Sequence, residues 1–510
     1  MPAADAASDA TIVGMGLGAE DDTIVAVATA PGRGGVGIVR LSGARALEIA
    51  RAILTPAGRG SIAPAGAETG QREPAATGAF ASQSPPASAG SGQADGWRPW
   101  RVRRMLFSDL EEVLVTYFAA PHSYTAEDVI EIAAHGSPPV LAALVAAAQA
   151  RGARLAEPGE FTRRAFLHGK MDLTQAEAVR DLIAAETLLQ ARTAARQLRG
   201  AAAAGLAPLR RQVLELVARL EAGIDFADDD VSVMSGEALA ASLHELRQAA
   251  AAALEQFQRG RYAREGVSLA ILGRPNVGKS SLFNRLFGAE RVIVTATPGT
   301  TRDLVSEGID LEGIPARLVD TAGIRHASDE AERLGIAKSR QAGADADLVL
   351  AVFDAARAWE SADAELLREL GSYPRVVVIW NKCDLPRRAS GAQLREALEA
   401  AGIGGGVEGI HEVSALTGAG VPELRRRLRQ MLAPDAEAAA GWLGNARHAA
   451  RLQDFVAALE RAQAGLRQNM PHEALLVDLH QARRELEAIT GMSDIEDILG
   501  IIFSTFCVGK

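Results

Sequence analysis

The run GRPNVGKS, at residues 273–280, limits the possible folds of this chain of 510 residues more than any other feature of the sequence. It stands between VSLAIL, a short apolar run typical of a buried strand, and SLFNRLFG, which has helical spacing. A strand, a glycine-rich turn and a helix in this order form a phosphate-binding loop, because the turn and the helix N-terminus direct backbone N–H groups at phosphate oxygens. We expect Lys279 to reach the β- and γ-phosphates and the Ser280 hydroxyl to ligate Mg²⁺. The alternative is a chance glycine-rich turn.

Two more segments fit the Mg²⁺ and γ-phosphate side of such a site. DTAG, at residues 320–323, ends the predicted strand ARLVD, where a carboxylate can hold the Mg²⁺ shell and a glycine amide can sense a γ-phosphate. GTTRD, at residues 299–303, lies between the two motifs, as a switch loop does, and Thr301 is its candidate for a second Mg²⁺ hydroxyl. The predicted Mg²⁺ ligands are therefore Ser280 and Thr301.

The choice of base is predicted by NKCD, at residues 381–384, which follows the strand-like RVVVIW. The Asp384 carboxylate can accept from the two N–H donors on the edge of guanine, which adenine lacks. Ser414 and Ala415 follow the next predicted strand and can complete the base pocket. All these elements in this order predict a GTPase and not an ATPase. The predicted nucleotide-binding residues are Asn276, Val277, Gly278, Lys279, Ser280, Ser281, Thr295, Ala296, Thr297, Pro298, Gly299, Thr300, Thr301, Asp320, Thr321, Ala322, Gly323, Asn381, Lys382, Asp384, Ser414, Ala415 and Leu416.

The residue that orients the attacking water differs from the usual one. In Ras-like enzymes a Gln just after the DTAG-type motif has this role, whereas this chain has Ile324, which cannot hydrogen-bond through its side chain. The acidic segment SDEAE, at residues 328–332, is near in sequence and can supply a polar group instead. The alternative is that these carboxylates only favour the N-terminus of a helix.

Hydrophobic periodicity divides the chain into domains. Between residues 265 and 432 the strands SLAIL, ARLVD, LVLAVFD, RVVVIW and IHEVSA alternate with helices, which predicts a Ras-like, doubly wound P-loop α/β domain. Helical sequence at residues 169–264 and 433–510 flanks it, so this domain is predicted to be inserted in an all-α domain. Residues 21–168 predict an α+β domain, in which VIEIAAHGSPPVLAALVAAAQARG is interpreted as a helix. Within a multidomain α/β fold, residues 1–20 are a predicted disordered tail and residues 56–96, rich in Ala, Gly, Pro and Ser, a flexible insertion.

Composition excludes several other classes of protein. The formal net charge of −10 gives no generic basic signature for nucleic acid, although a local basic patch stays possible. Two cysteines exclude a disulfide scaffold and indicate a reducing compartment. No apolar stretch is long enough to span a membrane, and the chain has no Lys or Arg before Arg33, unlike a secretory or mitochondrial targeting segment. A cytoplasmic protein with no membrane partner is predicted.

Two patterns near the chain ends are decoys. GRGGVG, at residues 32–37, matches a dinucleotide-binding pattern, but the strand-like IVRLSG follows it where such a site needs a helix. The C-terminal CVGK has a cysteine four residues from the end, yet Gly and Lys fit a prenylation box poorly. Since GIIFSTFCVGK is too apolar to be a frayed tail, we expect it to be docked.

The motifs beyond the generic GTPase set carry a family resemblance. TIVAVATAPGRGGVGIVRLSG, PHSYTAEDVIEIAAHG, EPGEFTRRAFLHGKMDLTQAEAVRDLI and the terminal FCVGK resemble the MnmE (TrmE) family of bacterial tRNA modification GTPases. The resemblance covers nearly the whole chain except the acidic tail and the insertion. It implies an N-terminal folate-binding domain that dimerises, a helical domain, and a GTPase domain inserted in the helical one, in agreement with the domains above.

The resemblance also implies that a tetrahydrofolate derivative, 5-formyl- or methylene-tetrahydrofolate, binds as one-carbon donor. By position, its contacts are Arg40, Glu131, Lys170 and Lys510. Arg and Lys suit the glutamate carboxylates of a folate, and Glu131 can accept from pterin N–H groups; surface ion pairing is the alternative for Glu131 and Lys170. The terminal box differs from the family's usual one only at Val508 and keeps Cys507, a candidate catalytic thiol.

Two further expectations about hydrolysis come from the resemblance. The family replaces an arginine finger with a bound K⁺, which by position would be held by the Asn276 side chain and by backbone oxygens of Thr295, Thr297 and Thr300. The family's catalytic glutamate falls on Glu332, which supplies the polar group that Ile324 cannot. Lys279 and Glu332 are thus the expected catalytic residues for GTP hydrolysis.

The function implied is GTP hydrolysis coupled to the addition of a carboxymethylaminomethyl group to the wobble uridine of certain tRNAs. The implied partners are GTP and GDP, tRNA, a second copy of the chain, and the FAD- and NADH-using flavoprotein MnmG (GidA) in a heterotetramer. The alternative is a GTP-controlled RNA-binding or ribosome-assembly switch without modification chemistry. The module at residues 21–168, with PGEFTRRAFLHGK, discriminates between the two.

Overall fold

The computed structural model describes residues 22–57, 97–225, 235–259, 261–287, 308–318, 343–344, 346–373, 375–388, 391–400, 407–432, 444–492, 499, 502–503 and 505–509. The predicted tail at residues 1–20 and nearly all of the predicted insertion, residues 58–96, lie outside these ranges. The chain divides into two compact units: unit 1 is Met1–Met171 with Glu496–Lys510, and unit 2 is Asp172–Ile495.

Unit 1 contains a seven-stranded sheet. Its strands are β1 (Ile24–Val27), β2 (Gly34–Ser42), β3 (Thr55–Pro56), β4 (Val102–Phe107), β5 (Glu111–Phe118), β6 (Val129–Gly136) and β7 (Arg154–Leu155), in the order β3-β4-β5-β6-β2-β1-β7. Its helices are α1 (Ala46–Ile53), α2 (Pro138–Gln149) and α3 (Glu160–Leu167). Ile49 of α1 and Leu144 of α2 share one core with Val39 and Ile132 of the sheet. This unit is therefore α+β, as predicted.

The segment interpreted as one long helix after β5 is a strand followed by a helix, so that prediction was wrong in its first half. Val129–Gly136 forms β6, and α2 begins at Pro138. β6 pairs on both sides, with β5 and with β2, and its Val and Ile residues favour a strand. Pro138 suits the first turn of a helix but not its interior, which places the boundary.

Two sequence predictions concern where β2 begins and where β3 ends. The pattern at residues 32–37 leads into β2, as predicted, so a strand and not a helix follows it. β3 runs one residue into the segment assigned to the insertion, because Pro56 pairs with Met105 of β4. β3 is an edge strand, where a proline, which has no N–H to donate, is tolerated.

Unit 2 contains a set of helices and a second sheet. Its helices are α4 (Leu173–Ile183), α5 (Leu188–Leu198), α6 (Ala201–Asp225), α7 (Gly236–Arg259), α8 (Arg261–Glu265), α9 (Lys279–Phe287), α10 (Ser361–Leu370), α11 (Gly391–Ala400), α12 (Val421–Leu432), α13 (Ala446–Arg467) and α14 (His472–Thr490). Its strands are β8 (Val267–Leu272), β9 (Gly308–Leu311), β10 (Ile314–Leu318), β11 (Leu348–Asp354), β12 (Val376–Asn381) and β13 (Val407–Glu412).

The helical part of unit 2 is built from both ends of its sequence. Leu209 of α6 and Leu243 of α7 share one hydrophobic core with Phe455 of α13 and Leu479 of α14. The α/β part between them has its own core. The prediction of an α/β domain inserted in an all-α domain is confirmed.

The sheet of unit 2 has the order β13-β12-β11-β8-β10-β9. Its strands pair in parallel except for β9, which is antiparallel to β10 and was not predicted. Helices α9 and α12 pack on one face and α10 and α11 on the other. The sheet is therefore doubly wound, which places the loops after β8, β12 and β13 at one edge.

Among the residues that the structure describes, no helix is both long and apolar enough to cross a membrane.

Candidate functional site

The loop after β8 holds backbone conformations that few residues adopt. Gly273 has φ +154°, and a Cβ there would lie 2.6 Å from the backbone oxygen of Val352. Asn276 has φ 61° and Gly278 has φ 97°. Such left-handed residues turn successive N–H groups towards one centre, which makes a concave site for an anion. α9 starts directly after this loop, at Lys279, so its N-terminus adds to the same site.

Lys279 is held at the loop by the backbone itself. Its Nζ donates to the carbonyl oxygens of Gly273 at 2.8 Å and of Arg274 at 2.9 Å. The ammonium group is thus positioned beside the concave turn. Ser280 and Ser281 follow in the first turn of α9, half-buried and exposed respectively. The described part of the predicted phosphate loop therefore has a concave turn, an ammonium group and a helix N-terminus side by side, which suits an anion.

Asn381 connects the three loops at this edge of the sheet. It is 1% exposed, and its Nδ2 donates to the carbonyl oxygen of Val277 at 2.8 Å. Its Oδ1 accepts from the backbone N–H of Ala415 at 2.9 Å. One buried amide therefore fixes the phosphate loop, the NKCD loop and the loop after β13 together.

The next residue, Lys382, adds a second connection. Its Nζ donates to the carbonyl oxygen of Asn276 at 2.8 Å and to Oδ2 of Asp354 at 2.6 Å. Asp354 ends β11, and its side chain is only 4% exposed. Asp354 was not among the predicted site residues, because it has no motif around it and only its position at the end of a buried strand marks it.

The remaining described residues of the predicted base pocket lie around this connection. Ser414 is buried, and its Oγ accepts from the N–H of Thr417 at 3.1 Å. Arg285 of α9 donates from Nε to the carbonyl oxygen of Ala415 at 3.3 Å. Asp384 is exposed, and Leu416 is 76% exposed. An exposed carboxylate beside a buried, fixed amide can accept hydrogen bonds from a ligand.

Several predicted residues lie outside the described ranges. They are Thr295, Ala296, Thr297, Pro298, Gly299, Thr300, Thr301, Asp320, Thr321, Ala322, Gly323, Glu332 and Lys510. Of the predicted K⁺ ligands, only Asn276 is described, and it is exposed. Within the described ranges, no three His, Cys, Asp or Glu side chains are grouped so as to hold a metal ion.

A second cluster of predicted residues lies in unit 1. The Arg40 guanidinium pairs with Glu131 at 2.7 Å between Nη2 and Oε1, across the β2–β6 pair. It lies 5.7 Å from the centre of the Tyr124 ring and 5.6 Å from that of Phe161. Its Nη1 also donates to the carbonyl oxygen of Gly509 at 3.4 Å. Arg40 therefore joins the sheet, two aromatic rings and the C-terminal tail.

The tail is docked, as expected for so apolar a segment. Phe503 and Phe506 are 3% and 6% exposed. Val508 forms an antiparallel bridge with Pro158, and the N–H of Gly159 donates to the carbonyl oxygen of Cys507 at 3.3 Å. The thiol of Cys507 belongs to an exposed residue.

Lys170 has a different partner from the other predicted folate contacts. Its Nζ donates to the carbonyl oxygen of Pro121 at 3.3 Å, and the residue is exposed. Arg40 thus contacts both Glu131 and Gly509 in the structure, whereas the bond that Lys170 makes is to Pro121. An arginine that donates, a carboxylate that accepts and two aromatic rings together suit an aromatic ligand with polar and anionic groups.

A network of charges supports this cluster, and the sequence analysis missed it. Arg164 of α3 donates to Glu127 at 3.0 Å and to Glu160 at 3.0 Å, and it also bonds Asp22. Arg154 binds both Asp22 and Glu160. Burial would raise the pKa of Glu160, but hydrogen bonds from these arginines and from the backbone lower it. The sequence signal that could have indicated this network is the presence of two arginines, Arg154 and Arg164, near and within EPGEFTRRAF.

A further buried charge cluster lies in the helical part of unit 2. Glu177 of α4 is 4% exposed and accepts from Arg447 at 2.8 Å and from Nε2 of His448 at 2.7 Å. Arg447 also donates to the carbonyl oxygens of Ala488 and Ile489, both at 2.9 Å, near the end of α14. Burial would raise the pKa of Glu177, but the hydrogen bonds from His448 and Arg447 lower it to about 2. This cluster joins α4, α13 and α14.

Comparisons with known proteins identify what this chain is similar to. The family model for the MnmE helical domain matches residues 173–507, and the one for the N-terminus of the GTP-binding protein TrmE matches residues 23–170. The tRNA modification GTPase MnmE of Koribacter versatilis is 47% identical over 495 residues, which cover 96% of this chain and 99% of the relative. MnmE of Aquifex aeolicus is 38% identical over 494 residues, covering 96% and 100%. A solved structure of Era with MgGDPNP and a 16S ribosomal RNA segment aligns with 32% of this chain and 55% of that chain, at 29% identity and a TM-score of 0.24.

Proposed function

Because the chain belongs to the MnmE family of tRNA modification GTPases, we propose that it hydrolyses GTP and couples this to modification of the wobble uridine of certain tRNAs. The observation that carries the GTPase half is the buried Asn381 amide, which bonds the phosphate loop at Val277 and the base loop at Ala415. A site built this way recognises both ends of one nucleotide. Lys279 contacts the phosphates, and Asp384 reads guanine.

The family relationship supports the remaining roles around the nucleotide. Ser280 and Thr301 hold Mg²⁺, and Asn276 with backbone oxygens of Thr295, Thr297 and Thr300 holds K⁺. These cations neutralise charge on the phosphates when they are bound. Glu332 orients the water that attacks the γ-phosphate, which explains why Ile324 can stand where other GTPases have Gln.

The uridine chemistry belongs to unit 1 in this proposal. A bound tetrahydrofolate derivative, 5-formyl- or methylene-tetrahydrofolate, supplies the one-carbon unit. The pairing of Arg40 with Glu131 and the docking of Gly509 against Arg40 support a folate site there. Lys170 and Lys510 would complete it, with Cys507 in the tail beside it. The product would be a carboxymethylaminomethyl group on the uridine, in which the one-carbon unit accounts for the methylene on C5 and an amino acid of the glycine type supplies the carboxymethylamino part.

The partners proposed are those of the family: GTP and GDP, tRNA, a second copy of the chain, and the FAD- and NADH-using flavoprotein MnmG in a heterotetramer. The N-terminal family match at residues 23–170 favours this over a ribosome-assembly switch without modification chemistry. A cytoplasmic location follows from such partners.

Nucleoside analysis of tRNA tests the proposal. A strain without this protein should lack the carboxymethylaminomethyl group, and the wild-type chain should restore it. Lys279→Ala and Glu332→Ala chains should not restore it, because both stop GTP turnover. Unaltered tRNA in the deletion strain would contradict the modification role, whatever the GTPase activity of the purified protein.

A further inference from the structure

We infer that Arg274 is a positioning residue of the nucleotide site, acting through two carboxylates at the N-terminus of α10, those of Glu360 and Asp363, to which it holds the phosphate loop. This inference rests on the proposed GTP-binding function. Arg274 is the second residue of GRPNVGKS, and its guanidinium bonds two carboxylates instead of facing the concave turn. Its Nη1 donates to Oδ2 of Asp363 at 3.0 Å, and its Nη2 donates to Oε2 of Glu360 at 2.6 Å.

The two carboxylates are themselves held in place by the start of α10. The Asp363 side chain accepts from the N–H of Glu360 at 3.0 Å, and the Glu360 side chain accepts from the N–H of Asp363, which makes a reciprocal capping box. Since this box fixes both acceptors, Arg274 binds to a preformed pair. Asp363 and Arg274 have side chains 11% and 21% exposed, so the bond between them is largely shielded from solvent.

The backbone of Arg274 connects this pair to the phosphates. Its carbonyl oxygen accepts from Lys279 Nζ at 2.9 Å, beside the carbonyl of Gly273. The backbone of Gly273 packs so closely on Val352 of β11 that a Cβ at Gly273 would lie 2.6 Å from the Val352 carbonyl oxygen. β11 therefore limits the position of the loop on that side. The Arg274 side chain holds the start of the loop to Glu360 and Asp363, whereas Asn381 and Lys382 hold its later part at Val277 and Asn276. Because Lys279 Nζ bonds the carbonyl oxygens of Gly273 and Arg274, at the start of the loop, its position depends in part on the bonds of Arg274 to Glu360 and Asp363.

The experiment is a direct titration of the full-length chain with GDP and inosine diphosphate. In Arg274→Ala the affinity for GDP should fall about tenfold, because a partly exposed ion pair that orders the loop is lost. The ratio of the GDP and inosine diphosphate affinities should stay as in the wild type, since Asp384 and the base pocket are untouched. Arg274→Lys should recover part of the loss, because one ammonium can reach Asp363 but cannot bind both carboxylates in the same way.

The matched control is Arg357→Ala. Arg357 also approaches Glu360, at 3.5 Å, but it is 49% exposed and lies outside the phosphate loop. It should leave GDP affinity unchanged. The double variant Arg274→Ala with Asp363→Asn should bind GDP no more weakly than Arg274→Ala alone, because the two residues act through one bond.

The outcomes separate this inference from the proposed function. GDP affinity in Arg274→Ala within twofold of the wild type, an equal loss in Arg357→Ala, or a changed base preference in Arg274→Ala would each overturn the positioning role. A wild-type chain that binds no guanine nucleotide would overturn the proposed function and this inference with it.

Discussion

Lys382 Nζ lies 2.8 Å from the carbonyl oxygen of Asn276, so the second residue of NKCD is bonded to the predicted phosphate loop. The same ammonium binds Asp354 at the end of β11. Lys382 therefore connects the predicted base loop both to the predicted phosphate loop and to the end of β11. Only variants that leave Lys382 and Asn381 intact can therefore separate the contribution of the base to nucleotide affinity from that of the phosphates.

Asp384→Asn is such a variant. It replaces a carboxylate acceptor by an amide whose NH₂ group opposes the N–H donors of guanine. We expect GTP affinity to fall about 100-fold, because two hydrogen bonds to a charged group are lost, and preference to move towards xanthosine triphosphate. Competition titration with both nucleotides measures this. Glu412→Gln, an exposed change at the end of β13, is the control and should preserve the preference for guanine; unchanged GTP affinity in Asp384→Asn would remove Asp384 as the base reader.

The monovalent ion gives a second prediction. GTP hydrolysis should be faster in K⁺ than in Na⁺ at matched ionic strength, and Asn276→Ala should flatten the difference. Because Asn276 has φ 61°, Ala adds backbone strain, whereas Asn276→Gly removes the side-chain oxygen without it. The two variants should therefore lose the K⁺ effect alike, with Gly keeping the better nucleotide affinity. Equal wild-type rates in the two salts would count against the ion site.

Glu177 gives a prediction about stability and pH. Its pKa is lowered from 4.5 to about 2, so its bonds to Arg447 and His448 stabilise the fold at pH values above the unfolded pKa. That stabilisation is lost as pH falls from about 4.5 towards 2. Glu177→Gln should reduce the free energy of unfolding by about 3 kcal/mol at pH 7 and by clearly less at pH 3. Urea denaturation followed by far-ultraviolet circular dichroism checks both values.

Glu460→Gln is the control for this prediction. Glu460 pairs with Arg247 at 3.6 Å, but its side chain is 56% exposed. An exposed pair contributes little, so this change should lower the free energy of unfolding by less than about 1 kcal/mol. If Glu177→Gln were as mild as Glu460→Gln at neutral pH, the buried cluster would not be what joins α4 to α13 and α14.

The loops of the candidate nucleotide site could be located from the sequence because their motifs are local. A glycine-rich loop, NKCD and a Ser-Ala pair each follow an apolar strand, and parallel strands bring their ends to one edge. The partners that fix those loops could not be predicted, since Asp354, Glu360 and Asp363 lie on elements far away in sequence. β6 was missed for another reason. It is followed almost directly by α2, and an apolar run with Ala and Ile fits the periodicity of a strand as well as that of a helix. Pro138 marks the boundary between the two.

Arg40 tests the proposed folate site. Arg40→Ala removes the partner of Glu131 and of the Gly509 carbonyl, and it leaves the nucleotide site of unit 2 unchanged. Binding of a 5-formyl-tetrahydrofolate probe should weaken by about 10- to 150-fold, the value of a charged hydrogen bond at a partly buried site. Undiminished probe binding would remove Arg40 from the site. Arg104→Ala, which loses only an exposed pair with Glu112, should bind the probe normally.

The last prediction concerns the docking of the tail, and Gly509 makes it possible to disturb that docking by a single methyl group. Gly509 has φ +93°, and a Cβ there would lie 3.0 Å from the Cα of Ala28 and closer still to the Val27 carbonyl. Gly509→Ala must therefore displace the tail, both through the strained φ and through the contact with β1. We expect loss of tRNA modification with GTP hydrolysis unchanged, because the hydrolytic residues all belong to unit 2.

Val508→Ala is the matched control, since the Val508 side chain is 50% exposed and its bridge to Pro158 uses only the backbone. It should keep both activities.

Nucleoside analysis and phosphate release, measured on the same preparations, distinguish the possible roles of the tail. Gly509→Ala with normal modification would show that the chemistry does not need the docked tail, and Cys507 would leave the mechanism with it. Loss of both activities would instead mean that the substitution unfolds the chain, which the melting temperature of the variant reports directly; Arg40→Ala, which loosens the tail from the other side, should then still separate modification from GTP hydrolysis.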